Sequence, residues 1–150
     1  MPPRVLVLDD DRDAVRLIGL MLRAMGCDVY TTTQPRVALE ILAQRRPDVL
    51  LTDTMMPDMC GGEVITWMRA QPELRHIPAV LVIISDRQIG DSQPDAVLMK
   101  PFLHTQIAGV IAPLLNSDLA AQLYRIAAGE RPSPQAIRRA RELTLESDEV

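Results

Sequence analysis

Five side chains in this sequence are of types that do chemistry, and they stand at comparable points along it. Asp9 and Asp10 follow the apolar run Arg4–Leu8 (RVLVL), and Asp53 follows Asp48–Thr52. Ser85 follows Ala79–Ile84 (AVLVII), and Lys100 follows Ala96–Met99. Three carboxylates brought close together repel one another and raise each other's pKa. A divalent cation relieves that repulsion, and an all-oxygen set with room for water suits Mg²⁺. A lysine beside such a cluster holds an incoming anion as a point charge, and a serine hydroxyl can donate to it. The set is suited to receiving a phosphoryl group on a carboxylate, a form of nucleophilic catalysis.

Lys100 is marked a second way. Of the 16 basic residues, 15 are arginine and Lys100 is the one lysine. A compact ammonium fits between a phosphorylated aspartate and a carboxylate, where a forked guanidinium is larger and pairs differently.

Convergence of residues ninety positions apart requires a particular frame. Short β-forming runs at 4–8, 28–31, 48–52, 79–84 and 96–99 alternate with helical patterns. The first helix carries Val15, Ile18, Leu22 and Met25 at helical spacing, with Gly26 as its stop. Pro35 suits the first turn of the second helix, with Val37, Ala38, Ile41 and Leu42 as its buried stripe. A loop with Pro57, Gly61 and Gly62 leads to a helix over 63–70. A last helix spans 103–115 with Ile107, Val110, Ile111 and Leu114 on one face, and Pro113 should kink or shorten it. Alternation of this kind implies βαβ units and an α/β fold with a parallel sheet. Right-handed crossovers leave the flavodoxin-like order 2-1-3-4-5 as the natural one, with helices on both faces. All strand C-termini then share one edge, where such sheets bind ligands.

VLVLDDD at 5–11, LLTDTMMP at 50–57 with Gly61 beyond it, the hydroxyl of Ser85, and Lys100-Pro101-Phe102 together resemble a response-regulator receiver domain over about residues 4–116. The resemblance implies Asp53 as the phosphorylated residue and Mg²⁺ as cofactor. It implies Asp10 as a direct ligand, Asp9 as a ligand largely through water, and the main-chain carbonyl of Met55 as the third protein ligand. Lys100 would pair with the phosphoryl group, and Ser85 would be the switch hydroxyl. The partners implied are a sensor histidine kinase or phosphotransfer protein and a downstream protein target.

The sequence also departs from that pattern. Only residues 86–95 separate Ser85 from the fifth strand, and Gly90 and Pro94 are among them. The fourth helix is therefore expected to be short, irregular or missing. Val97 stands where an aromatic switch residue usually sits. Asp86 follows the switch hydroxyl, where a small residue usually gives phosphate access, and would add negative charge near an anion. These departures keep a second reading open, an atypical receiver that binds proteins without phosphorylation. A third, a metal-dependent aspartyl phosphatase, fits Asp9 and Asp11 but meets Asp13 where Thr or Val belongs, and no cap domain is evident.

Each residue also has an ordinary reading. Asp9–Asp11 could cap a helix, Asp53 and Ser85 could be turn formers, and Lys100-Pro101 is a common loop pair. The joint order at strand ends argues for the site. Met55, Met56 and Met59 read as packing or loop residues, Cys60 as incidental, and His76 and His104 as isolated. Arg138, Arg139 and Arg141 read as a solvated helix face.

The chain of 150 residues with net charge −4 is expected to form a receiver domain at 1–116 and a helical extension at 117–150. In the extension, Leu119, Leu123, Ile126 and Ala127 form a helical stripe, residues 129–134 a break, and 134–146 a second helix. The first of these is expected to dock on the receiver or to mediate a homodimer. The 34 residues are too few for a usual output domain. Slight acidity and four scattered aromatics argue against direct nucleic-acid binding. No run reaches the roughly 20 apolar residues of a membrane helix, the start lacks a signal-peptide pattern, and Cys27 and Cys60 lack metal-ligand spacing. A cytoplasmic, reduced protein is expected.

Overall fold

The computed structural model describes residues 2–115 and 120–148, with side chains described through residue 145. Five parallel strands, β1 (Arg4–Leu8), β2 (Asp28–Thr32), β3 (Val49–Asp53), β4 (Ala79–Ile83) and β5 (Ala96–Met99), form one sheet in the order β2-β1-β3-β4-β5. The helices are α1 (Arg12–Ala24), α2 (Pro35–Arg45), α3 (Gly61–Ala70), α4 (His104–Ile111), α5 (Ala120–Ala127) and α6 (Pro134–Asp148). This is the flavodoxin-like arrangement expected from the alternation.

The apolar runs become strands because both of their faces are covered. Alternation along β1 sends Val5 and Val7 to one core and Leu6 and Leu8 to the other. The first core joins α1, α4 and α5 through Val15, Ile18, Leu22, Ile107, Ile111 and Leu123. The second joins α2 and α3 through Ala38, Leu42, Val64, Ile65 and Met68.

Helix ends follow local chemistry. Asp11 caps α1, its carboxylate accepting from the N–H of Asp13 at 2.9 Å and of Ala14 at 3.4 Å. That polar first turn, which has no apolar periodicity, starts the helix at Arg12, three residues before Val15, the first residue of the stripe. Pro35 occupies the first turn of α2 as expected. Pro113 shortens α4, which passes into a 3₁₀ turn at Ala112–Leu114.

The expected defect between β4 and β5 is present. The connection holds only a 3₁₀ turn at Asp86–Gln88. It is pinned by Asp95, whose Oδ2 accepts from the Ala79 N–H at 2.7 Å and from Arg69 Nη2 at 2.5 Å. Arg69 also donates to the carbonyls of Arg75 and Ile77, so one guanidinium ties α3 to both flanks of β4.

The extension is helical where described, with Gly129 at φ 109° inside the break. Leu123 and Ile126 of α5 are buried in the first core, so this helix docks on the sheet domain. Leu119, the first residue of the expected stripe, lies outside the described residues. No described helix is long and apolar enough to cross a membrane.

Candidate functional site

Parallel pairing in register sets the site. Leu8 pairs with Thr52, and Asp53 pairs with Val82, so the ends of β1, β3 and β4 are level. Asp9 and Asp10 leave β1 there, Asp53 closes β3, and Lys100 leaves β5 beside Ile83, donating its N–H to the Ile83 carbonyl at 2.8 Å. Four of the five candidate side chains are thus gathered at one edge.

Asp9, Asp10 and Asp53 each offer a carboxylate oxygen within 4.8 Å of the others. Lys100 Nζ donates to Asp9 Oδ2 at 2.9 Å and lies 3.6 Å from Asp53 Oδ1. Asp9 is buried, Asp53 partly so, and Asp10 exposed. The other Asp9 oxygen accepts from the Asp11 N–H at 3.0 Å. The three acids at the end of β1 therefore divide their labour: Asp11 caps α1, while Asp9 and Asp10 turn into the site.

Burial pushes the Asp53 carboxyl up from its ordinary range, and the Asp9 charge adds to the rise. The Thr54 N–H, donating to Oδ1 at 2.9 Å, and the Lys100 ammonium oppose it without cancelling it. Burial alone would lower Lys100, but the hydrogen bond and charge of Asp9, together with Asp53, carry it above its usual value. The pocket therefore holds its lysine charged and has an excess of negative charge around Asp53. An excess of that kind, on oxygen donors alone, is the environment in which a hard divalent cation binds.

The backbone below Asp53 is fixed by Gly61 and by two threonines, Thr52 and Thr54, to which the sequence reading gave no role. Thr54, 6% exposed, donates its hydroxyl to the Val82 carbonyl at 2.7 Å. Thr52 donates to the Asp53 carbonyl at 2.9 Å. Gly61 donates its N–H to the Thr54 carbonyl at 2.9 Å. A Cβ on Gly61 would lie 2.0 Å from the Asp53 carbonyl oxygen, so only glycine allows α3 to start there. Thr52 and Thr54 flanking an acid at a strand end were the available signal.

Met55 lies two residues past Asp53 in the β3–α3 loop and is 66% exposed. Ser85 is outside the cluster of contacts. Its Oγ accepts from the Arg87 N–H at 3.4 Å, while Gln88 Oε1 accepts from the N–H of Ile84 at 2.6 Å and of Ser85 at 3.5 Å. This reciprocal cap starts the 3₁₀ turn. Asp86 is exposed in that turn, and Val97 packs against the second core.

The arrangement has recognisable kin. The sequence profile of the response regulator receiver domain matches residues 5–111. Polar-differentiation response regulator DivK of Brucella anthropi is 33% identical over 82 residues, 55% of this chain and 67% of that protein. Response regulator PleD of Caulobacter vibrioides is 40% identical over 86 residues, 57% of this chain but only 19% of that longer protein. Among solved structures, the receiver domain of a sensor histidine kinase from Pseudomonas aeruginosa superposes with a TM-score of 0.71 at 22% identity. The match covers 78% of this chain and all of that one, which holds a magnesium ion coordinated in its active site cleft. With the profile spanning more than half the sequence and the sheet order the same as the one expected, this chain belongs to the response regulator receiver domains of two-component signalling.

Proposed function

We propose that this chain is a phosphoacceptor response regulator. It takes a phosphoryl group on Asp53 from a histidine-kinase or phosphotransfer-protein phosphohistidine, in a Mg²⁺-dependent reaction, and signals in the cytoplasm by contact with a downstream protein. The observation that carries this reading is the Asp53 carboxylate at a strand end, 3.6 Å from a charged lysine and within 4.8 Å of two further carboxylates.

Asp10 and Asp53, the Met55 carbonyl and, through water, Asp9 are the groups that would hold Mg²⁺. When bound, the ion offsets the charge of the acids and of the phosphoryl oxygens. In the transfer, an Asp53 carboxylate oxygen forms a bond to phosphorus as the phosphorus–nitrogen bond breaks. The bonding pair returns to the nitrogen of a protonated imidazole, which leaves neutral. Lys100, tethered to Asp9, needs only a small swing to pair with a phosphoryl oxygen on Asp53. Attack of water on phosphorus later releases inorganic phosphate and restores the carboxylate. The two cysteines are free, and Cys27 is buried with its thiol pushed up to about 12, which fits an inert role in a reducing compartment.

Acetyl phosphate with Mg²⁺ should add one phosphoryl group to the wild type and none to Asp53→Asn, read by intact mass. BeF₃⁻ should change Trp67 fluorescence in the wild type. No mass shift and no fluorescence response reject the reading.

A second reading, a phosphorylation-independent protein-binding module, is favoured by Ser85, whose hydroxyl caps a turn, and by Val97 in the usual aromatic position. It requires Asp53→Asn to leave partner binding unchanged.

A further inference from the structure

The chain is anchored on both sides of the β4–β5 turn. Before it, Thr54 donates its hydroxyl to the Val82 carbonyl at 2.7 Å, and Lys100 donates its N–H to the Ile83 carbonyl at 2.8 Å. After it, Ile89 packs against the second core. A Cβ on Gly62 would lie 3.1 Å from the Ser92 Cβ, so the connection rests against the start of α3. Asp95 is then pinned by the Ala79 N–H and by Arg69. Between these anchors Ile84–Arg87 are exposed, and among the described residues their hydrogen bonds stay inside the turn.

One side chain closes that turn. Gln88 Oε1 accepts from the Ile84 N–H at 2.6 Å and reaches the Ser85 N–H at 3.5 Å. These are the first two amides past the end of β4. The Ser85 Oγ faces into the turn and accepts from the Arg87 N–H at 3.4 Å. Ser85 itself is extended, with φ −143° and ψ 146°. It lies three residues past Val82, the residue that pairs with Asp53. At a rise of about 3.3 Å per residue, that is up to about 10 Å beyond the level of Asp53. Its hydroxyl reaches a phosphoryl group on Asp53 only if the chain bends at Ile84 and Ser85, the residues that Gln88 holds.

We propose that Gln88 is a positioning residue, a latch that keeps Ser85 away from the acceptor until a phosphoryl group competes for its hydroxyl. The inference rests on the acceptor reading above and adds what sets its threshold. Two classes of hydrogen bond are in competition. Those of an exposed turn are weak in net terms, because water replaces them when they open. A hydroxyl donating to a phosphoryl oxygen makes a charge-assisted bond, roughly twice as strong as a neutral one. The latch therefore yields to the phosphoryl group, at the expense of part of the binding. A site whose competent arrangement is only partly populated binds more weakly by that fraction, so removing the latch should tighten it.

The test uses the full chain, with BeF₃⁻ and Mg²⁺ in place of the phosphoryl group and amide NMR shifts as the readout. Gln88→Met keeps the length of the side chain and removes the acceptor. It should bind BeF₃⁻ about threefold to tenfold more tightly than the wild type. In a Ser85→Ala background the same change should make no difference, whereas general loosening of the turn would act in both backgrounds. The Ile84 amide should exchange with solvent at least about threefold faster in Gln88→Met, with Val80–Ile83 unchanged. Equal or weaker BeF₃⁻ binding in Gln88→Met, a gain that persists without Ser85, or an Ile84 amide that exchanges as in the wild type overturns the proposal. Binding by the wild type that is indifferent to Gln88 rejects the latch alone. Absence of BeF₃⁻ binding in every variant and the wild type rejects the acceptor reading and the latch with it.

Discussion

Lys100 Nζ is nearer to Asp9, at 2.9 Å, than to Asp53, at 3.6 Å. The lysine thus rests on a carboxylate that stays a carboxylate throughout the proposed reaction, and reaches toward the one that changes. Its ammonium also competes with any cation for the same acids.

Lys100→Met should therefore separate two properties that usually fall together. Removing one positive charge from the cluster should tighten Mg²⁺ binding, by roughly threefold to tenfold at a partly solvated site. Phosphorylation by acetyl phosphate should slow, since the phosphoryl oxygens lose their pairing ammonium. Titration of Trp67 fluorescence with Mg²⁺ and intact-mass kinetics measure the two effects. Equal or weaker Mg²⁺ affinity would count against a shared set of acids.

Asp53→Asn should stabilise the protein at neutral pH. The folded-state pKa of Asp53 is raised, so the folded state binds this proton more tightly than the unfolded state does. Stability contributed by the protonated form is present below the unfolded value of about 3.9 and is lost as pH rises through the higher folded value. At pH 7 the wild type carries that cost and the amide does not. Thermal melts should place the variant above the wild type at pH 7, with the gap closing toward pH 4.

Mg²⁺ should raise the melting temperature of the wild type, and chelation should reverse the gain. A ligand that binds only the folded state adds about 2.7 kcal/mol at a hundred times its Kd. Asp10→Asn, an exposed change with little intrinsic effect on stability, should lose most of that increment. An increment unchanged in Asp10→Asn would remove Asp10 from the ligand set.

Gly61→Ala should destabilise the domain by about 2–4 kcal/mol. The added methyl meets the Asp53 carbonyl oxygen, a backbone atom that cannot rotate away. Denaturant melts would show the loss, and slower phosphorylation should accompany it as Asp53 shifts. A neutral effect would mean that α3 can start elsewhere.

Much of this was readable from short apolar runs. The bounds of β1 and β5 follow directly from the β-forming runs RVLVL and AVLM, which stop at Asp9 and Lys100; β1 is buried from Val5 to Leu8, whereas in β5 only Leu98 is. The missing helix was readable from ten residues holding Gly90 and Pro94, too few and too broken for a regular turn of helix and its connections. Other features are tertiary. Gly61 and Gly62 read as loop because glycine is a poor helix former, yet both lie in the first turn of α3, where Gly61 comes close to the Asp53 carbonyl. The cap on the 3₁₀ turn was visible in principle as Ser85-x-x-Gln88, the spacing of a capping box. The docking of α6 on α1 was not, since its buried Ala140 and Thr144 carry no signal of the helix they face.

The two faces of the sheet mature at different moments of synthesis. Every buried residue of the α2–α3 core lies between Leu6 and Ile83. The core beneath α1 and α4 includes Ile126, roughly forty residues later. At about 5–20 residues per second, a ribosome leaves the α1–α4 face unsealed for about 2–8 s after the last buried residue of the α2–α3 core has been added. During that interval the nascent chain presents one finished hydrophobic layer and one open one. Because the last piece to arrive is α5, the extension closes the fold that it follows.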